Sequence, residues 1–265
     1  MSTLAIDVRN SISTVGLFDG EELIDSWRMA SNVSRTADEW HVLLAGLLKG
    51  AEVTGISMAC TVPSILSEMR ILFAQYFPDV NTVIVEPGTK TGVPIHTDNP
   101  KEVGADRIVN AVAAKARYGG PAVVVDFGTA TTFDVIDASG NYIGGAISPG
   151  IEISLEALAR KGAQLRSVEL VAPNKTIGKN TVEAMQAGIV FGFAGLVDGV
   201  VDRILDEVAG EDIPVIATGF AANSVWQECE TITNYEPNLT LDGLRIVLEK
   251  NRFLSINRLN SNSYF

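Results

Sequence analysis

The chain has 265 residues, of which 46% are apolar and 20% are charged, so we expect a packed globular protein. Its length allows one large core and favours two cores of ordinary size. Its net charge of −12 argues against nucleic acid as the main partner, because phosphate backbones attract clusters of Lys and Arg. Cys60, Cys229, His41 and His96 lack metal-ligand spacing, which favours buried thiols in a reducing compartment over a disulfide or a zinc site.

The start of the chain reads directly as a strand, without a basic region, a long apolar stretch or a cleavage site. The longest apolar run, residues 187–197, is shorter than the ~20 residues that span a bilayer. We therefore expect a soluble, cytoplasmic protein that does not enter a membrane.

The first twenty residues predict two strands joined by a polar corner. The apolar residues 4–6 lead into Asp7, the corner follows, residues 14–18 predict the second strand, and Asp19 with Gly20 predicts a hairpin turn. Strands and helices then alternate, as strand 22–27, helix 36–48 capped by Thr36, strand 55–59, helix 64–77, strand 82–86 and helix 106–117.

The opening pattern recurs in the second half of the chain. An apolar strand over 122–125 ends in Asp126, a small-residue corner follows, and residues 133–136 predict the returning strand. Asp7 and Asp126 thus occupy equivalent positions 119 residues apart, which indicates two similar α/β domains. We place these domains at 1–117 and 118–251, with a polar tail at 252–265.

The remaining elements of the second half are helix 151–161, helix 181–208, strand 214–217 and helix 241–250. Residues 144–150 contain Ser148 but predict a structural turn and not a nucleophile elbow, because both histidines precede that serine. On the long helix, the glycines at 188, 192, 195 and 199 predict close packing of another element. Thr181, at its start, is either a hydroxyl cap or a ligand contact.

Two acidic strand ends, each followed by small and hydroxyl residues, fit the phosphates of one nucleotide in a cleft between the halves. A carboxylate repels phosphate, so Asp7 and Asp126 would act through cations. The alternative is that each Asp caps a turn, but the matched pair favours a nucleotide site. P-loop and Rossmann motifs are missing, since Gly178-Lys179-Asn180 lacks both the leading glycine spacing and the hydroxyl.

Asp106 lies where a loop ends and a helix begins. The helix dipole would keep its carboxylate ionised and able to accept a proton from a hydroxyl that attacks phosphorus. Arg107 beside it could bind a substrate carboxylate. The alternative is that Asp106 only caps the helix and Arg107 only forms a surface ion pair. This segment alone does not separate the two interpretations, but the repeat of Asp7 and Asp126 favours the catalytic one.

Five segments together resemble the type III pantothenate kinases, a family of the acetate and sugar kinase, heat-shock chaperone and actin superfamily. They are residues 104–111, 126–132, 144–150, 178–183 and 241–245, and the resemblance runs from about residue 4 to residue 251. It implies an α/β fold of two ribonuclease-H-like (actin-like ATPase) domains, related by internal duplication, with mixed sheets flanked by helices.

The resemblance also implies the reaction, which is transfer of the γ-phosphoryl group of ATP to pantothenate, giving 4′-phosphopantothenate in the first step of coenzyme A biosynthesis. Asp106 is implied to be the general base. Pantothenate would be held by Gly104, Ala105, Asp106, Arg107 and Thr181. ATP, accompanied by Mg²⁺, would contact Asp7, Val8, Arg9, Asn10, Ser11, Ile12, Ser13, Thr14 and Thr129. Asp126 would bind a monovalent cation, K⁺ or NH₄⁺, and family members are homodimers.

Three positions depart from the family pattern. Arg9 replaces a usual glycine, whose equivalent in the second copy is Gly128, and would either grip phosphate or obstruct it. Phe220 replaces a glycine near the adenosine, and Thr97 stands where many relatives have a substrate-contacting Tyr. These departures keep two alternatives open: a weak or inactive member that acts as a ligand-binding or regulatory protein, and a kinase with another acceptor.

Overall fold

Two five-stranded mixed sheets form the framework of residues 2–161 and 168–261, the part of the chain that the computed structural model describes. The first sheet has the order β3-β2-β1-β4-β5 and contains β1 (Ser2–Val8), β2 (Ile12–Asp19), β3 (Glu22–Ala30), β4 (Val53–Cys60) and β5 (Asn81–Ile84). The second has the order β10-β9-β6-β7-β8 and contains β6 (Ala122–Phe127), β7 (Ala130–Ile136), β8 (Tyr142–Pro149), β9 (Val215–Thr218) and β10 (Asn234–Tyr235). Taken from its other edge, the second order repeats the first.

Strand pairing repeats as well. In each sheet the first strand runs antiparallel to the second and parallel to the fourth. Asp7 lies opposite Thr14 and Ala59, and Asp126 lies opposite Thr132 and Thr218. Both carboxylates therefore stand one residue before the end of the first strand of their sheet. The predicted fold class, with its internal duplication, is confirmed.

Six α-helices accompany the sheets among the described residues: α1 (Ala37–Leu48), α2 (Pro63–Tyr76), α3 (Ala105–Tyr118), α4 (Ile151–Lys161), α5 (Thr181–Glu207) and α6 (Leu239–Ser261). The predicted cap of α1 is present, because the Thr36 side chain and Glu39 form a capping box. The last helix is longer than predicted. It continues through residues that were expected to form a tail, and the final four, 262–265, lie outside the described residues.

Two compact units divide the chain: Met1–Val93 with Asp98–Ala113 and Thr240–Phe265, and Pro94–Thr97 with Ala114–Leu239. Helix α6 packs on the first sheet and so belongs to the first unit. Two of its leucines lie against two glycines of that sheet, where a larger side chain would not fit. A β-carbon at Gly16 would lie 2.8 Å from Leu241, and one at Gly55 would lie 2.8 Å from Leu248. The predicted domain division after residue 117 stays a prediction, and these units cross it at α6.

Each sheet carries its own hydrophobic core. In the first unit, Trp40 and Leu44 of α1 and Met58 of β4 are fully buried in one core. In the second, α5 is long and apolar enough to cross a membrane by length and composition alone. Val190 and Val197 of this helix are completely buried in the second core.

Two glycine-rich stretches can be compared with their predicted structures. A β-carbon at Gly188, Gly192 or Gly195 would meet nothing within 4 Å, so no described element packs closely on these three glycines, and their predicted role in close packing stays a prediction. Residues 144–149 form most of β8, so the predicted turn there is wrong. Glycines obscured the strand pattern, yet Gly145 is required because a side chain would strike the Phe133 carbonyl on β7.

Candidate active site

The first acidic corner lies at the end of β1. Asp7 is only 4% exposed, and the corner closes through a 3.3 Å hydrogen bond from the Arg9 N–H to the Ile12 carbonyl. The end of β4 is attached to the same corner, because the Thr61 N–H donates to the Val8 carbonyl at 3.0 Å. This geometry presents the corner at the carboxyl ends of two parallel strands, where α/β sheets commonly bind ligands.

The side chain of Arg9 lies on the Asp7 carboxylate. Its Nε donates to Asp7 Oδ2 at 2.6 Å, and the two side chains are only 12% and 6% exposed. Its Nη2 donates to Thr240 Oγ1 at 3.0 Å, and the Thr240 hydroxyl in turn donates to Asn110 Oδ1 at 2.7 Å. Arg9, which departs from the family pattern, is therefore part of a buried polar network.

The remaining residues of the first corner differ in accessibility. Asn10 and Ser11 are exposed, whereas Ile12 and Thr14 are half-buried. Val8 is buried in the first core, and the buried Ser13 hydroxyl lies 2.8 Å from that of Ser31. The exposed pair thus provides the polar groups of this corner that solvent reaches most readily.

The second acidic corner lies at the end of β6. Asp126 is 3% exposed, and the Gly128 N–H donates to the Ala130 carbonyl at 3.0 Å. Two glycines from other strand ends close around it. Gly150 donates its N–H to the Thr129 carbonyl at 3.1 Å and leaves no room for a β-carbon against that oxygen.

Gly219 has a special role in this second corner. Its φ is +97°, and an added β-carbon would lie 2.5 Å from Asp126 Oδ1 and 2.6 Å from the Phe127 carbonyl oxygen. Only glycine combines that backbone conformation with so close an approach. The family resemblance placed the loop of Gly219 and Phe220 near the adenosine, but sequence reasoning did not connect Gly219 with Asp126. The signal was available, because Thr218-Gly219 directly follows a predicted strand.

Asp106 is the second residue of α3, a helix of 14 residues. The helix opens with a 3.1 Å hydrogen bond from the Ile108 N–H to the Gly104 carbonyl. The carboxylate lies back over Gly104, since a β-carbon at that glycine would be 2.5 Å from Asp106 Oδ1. Ala105, Asp106 and Arg107 are all half-buried, so the carboxylate combines solvent access with the favourable field of a helix N-terminus.

At the start of α5, the cap is Asn180 and not Thr181. Asn180 Oδ1 accepts from the Glu183 N–H at 3.0 Å, so the hydroxyl-cap interpretation of Thr181 is wrong. Thr181 is the first helical residue, and it lines an open cavity of about 660 Å³ together with Lys179 and Leu158. A ligand contact is the interpretation of Thr181 that stays open.

The structure brings Asp7, Arg9 and Asn110 together in the first unit and Asp126 with Gly219 in the second. Phe220 packs, partly buried, against the second core. The Thr97 Oγ1 is buried and has no hydrogen-bond partner among the described residues. The expected cleft between the two halves stays a prediction.

The acidic residues fit a metal that arrives with a nucleotide. Within the described ranges, no group of three or more His, Cys, Asp or Glu side chains could hold a metal ion. Each corner instead offers one buried carboxylate, Asp7 or Asp126. Mg²⁺ usually keeps several waters and binds one or two carboxylates plus substrate phosphates, so the single carboxylate of the first corner, Asp7, is enough for it.

Comparison with known proteins places the chain in a family. The sequence profile described as "Type III pantothenate kinase" matches residues 3–203. The type III pantothenate kinase of Thermobifida fusca (strain YX) is 56% identical over 255 residues, covering 94% of this chain and 99% of that protein. That of Streptomyces coelicolor is 58% identical over 259 residues, covering 94% and 98%.

Solved structures agree with the fold. A ROK family glucokinase from Streptomyces griseus, solved in complex with glucose and AMPPNP, has a TM-score of 0.54 at 10% identity and covers 94% of this chain and 100% of that one. At this identity the likeness shows the fold alone. The relatives that are more than half identical over nearly the full length show more, and the chain belongs to the type III pantothenate kinase family.

Proposed function

We propose that this chain transfers the γ-phosphoryl group of ATP to the primary hydroxyl of pantothenate, giving 4′-phosphopantothenate and ADP, the first step of coenzyme A biosynthesis. The observation that carries the proposal is the half-buried Asp106 carboxylate in the first turn of α3, in a chain of this family. The acceptor hydroxyl gives its proton to this carboxylate while its oxygen bonds to the γ-phosphorus. The bond from that phosphorus to the β-phosphate oxygen breaks, and ADP leaves.

The binding roles follow the two corners and the two helix starts. Gly104, Ala105, Arg107 and Thr181 hold pantothenate, with the Arg107 guanidinium suited to its carboxylate. The corner from Asp7 to Thr14, and Thr129 of the second corner, contact the phosphates. Mg²⁺ bound with ATP neutralises phosphate charge, which lets carboxylates stand near the nucleotide.

Asp126 binds the monovalent cation, K⁺ or NH₄⁺. Its side chain is 3% exposed, and Gly219 brings the end of β9 against it. A single carboxylate beside main-chain oxygens suits a weakly hydrated monovalent ion better than a divalent ion that has lost all its waters. Omitting K⁺ and NH₄⁺ should therefore abolish most turnover.

The test is coupled ADP release, measured with and without pantothenate and repeated with and without K⁺. Turnover that needs pantothenate and K⁺ together supports the proposal. ADP release that pantothenate does not stimulate would refute the acceptor assignment. An acceptor screen then separates a kinase with another substrate, the alternative that Thr97 raised, from this one.

The inactive-member alternative finds no support in the described residues or in the relatives. Phe220 packs against the second core, and Arg9 is engaged by Asp7 within the corner. The similar proteins from Thermobifida fusca and Streptomyces coelicolor are both named as kinases.

The chain acts as a cytoplasmic homodimer. The exposed glycines of α5, Gly188, Gly192 and Gly195, leave a face that another helix can approach closely, and a second copy of the same helix fits it. Gly192→Leu should shift the dimer to monomer in sedimentation experiments. Unchanged dimer mass in that variant would place the dimer contact elsewhere.

A further inference from the structure

A buried polar chain joins three separate segments of the first unit. It runs from Asp7 at the end of β1 through Arg9 of the corner and Thr240 of α6 to Asn110 of α3, in hydrogen bonds of 2.6, 3.0 and 2.7 Å. Thr240 is 7% exposed and Asn110 is fully buried. None of the family's implied substrate contacts accounts for Thr240 or Asn110.

Such a network fixes geometry better than it adds stability. Taking the Asp7 and Arg9 charges out of water opposes folding, and their attraction offsets this only with good geometry and further hydrogen bonds. Thr240 provides the further bond by accepting from Arg9 Nη2. The Thr240 hydroxyl donates its proton to Asn110 Oδ1, so it can only accept from Arg9, and the direction of each hydrogen bond is fixed.

The network reaches the helix that holds the general base. Asn110 follows Asp106 by four residues, so both lie on one face of α3, about 6 Å apart along its axis. The contact between α3 and α6 is tight there, since Gly243 packs directly on the Val109 carbonyl oxygen with no room for a β-carbon. A shift of Thr240 is therefore passed to α3.

We propose that Arg9 is a positioning residue, which acts through Thr240 and Asn110 to hold α3, and with it Asp106, in place relative to the first phosphate corner. The proposal rests on the kinase function above. Arg9 replaces the family's usual glycine, and this role differs from both roles considered from the sequence, which were to bind phosphate or to obstruct it.

The test uses variants that either remove or keep the hydrogen bonds of one member of the network. Thr240→Val removes the hydroxyl at nearly constant volume, Thr240→Ser keeps it, and Arg9→Met removes the charge while keeping the stem. Thr91→Val is the matched control, because the Thr91 hydroxyl is equally buried and its hydrogen bonds, to the Val93 carbonyl and from the Val93 N–H, stay within its own loop. The kcat and both KM values are measured on folded protein, well below its melting temperature.

A positioning role predicts that Thr240→Val lowers kcat about tenfold, less than the ~10²-fold that a 1 Å misplacement can cause. The KM for ATP should stay within about twofold, Thr240→Ser should keep the wild-type kcat, and Thr91→Val should change neither constant. In the Arg9→Met background, Thr240→Val should lower kcat little further, because the Thr240–Asn110 bond then no longer connects α3 to Arg9.

An unchanged kcat in folded Thr240→Val would overturn the proposal, as would a full tenfold loss from Thr240→Val in the Arg9→Met background. If Arg9→Met does not fold, the comparison of Thr240→Val with Thr240→Ser decides alone. Wild-type protein without pantothenate-dependent turnover is a different result: it would refute the proposed function, and the positioning role with it.

Discussion

Gly104→Ala should impair catalysis while leaving the fold intact. The backbone at Gly104 is outside the left-handed region, so alanine is tolerated there. The new β-carbon would lie 2.5 Å from Asp106 Oδ1, whereas ordinary contact between non-bonded atoms begins near ~3.5 Å. The carboxylate therefore has to move by about 1 Å.

That displacement sets the expected magnitude. A misplacement of ~1 Å in a reacting group can cost about 10²-fold in rate. We expect kcat at saturating pantothenate to fall by about 10–10²-fold, which corresponds to ~1.4–2.7 kcal/mol in the activation free energy. The free energy of unfolding should change by less than about 1 kcal/mol, since replacing Gly restricts the unfolded chain.

The assay is steady-state ADP release with pantothenate and ATP both saturating, beside thermal unfolding of the same samples. Gly46→Ala is the control, because a β-carbon at Gly46 meets nothing within 4 Å. A pantothenate KM that rises as well would indicate contact between Gly104 and substrate, but kcat alone reports on Asp106. A stable Gly104→Ala enzyme with kcat within twofold of wild type would refute the reasoning.

Three further predictions concern stability and the second corner. Gly219→Ala should lower the free energy of unfolding by at least ~1–2 kcal/mol, because the φ of this residue is positive. It should also weaken activation by K⁺, because the new β-carbon displaces Asp126. Thermal unfolding and a K⁺ titration of activity test this, and an unchanged melting temperature with unchanged K⁺ activation would contradict it. Gly46→Ala, at an exposed position of α1, should raise the free energy of unfolding by ~0.5–1 kcal/mol in a denaturant titration, and a decrease would be the contrary result. Partial burial and a hydrogen bond to Glu236 raise the pKa of Tyr118 from 10.0 to about 12. The stabilisation that this shift provides should thus be complete below pH ~10 and be lost as pH rises towards ~12. Tyr118→Phe should remove that part of the pH dependence of the free energy of unfolding. The same pH dependence in the variant and the wild type would count against the prediction.

Much of the fold was predictable because it is encoded locally. The capping residues of α1 and the apolar run before Asp126 have short-range signatures that need no tertiary information. The duplication was visible because the same strand-end carboxylate occurs twice, and the strand registers of Asp7 and Asp126 confirm it.

The missed features depend on neighbours that are distant in sequence. Strand β8 contains Gly144 and Gly145, which break the usual pattern, and its edge pairing with β7 defines it. The partner of Arg9 on α6 is 231 residues away, and no local rule identifies it. The same holds for Gly219, whose close approach to Asp126 exists only once β9 lies beside β6.

Transfer of radiolabelled γ-phosphate from ATP to pantothenate, by wild type and by Asp106→Asn in the presence of Mg²⁺ and K⁺, tests the central claim most directly. We predict labelled phosphopantothenate from the wild type and a loss of at least ~10²-fold in the variant, the smallest usual contribution of a general base. Full transfer by a folded Asp106→Asn enzyme would contradict the account, because the proton would then need another acceptor.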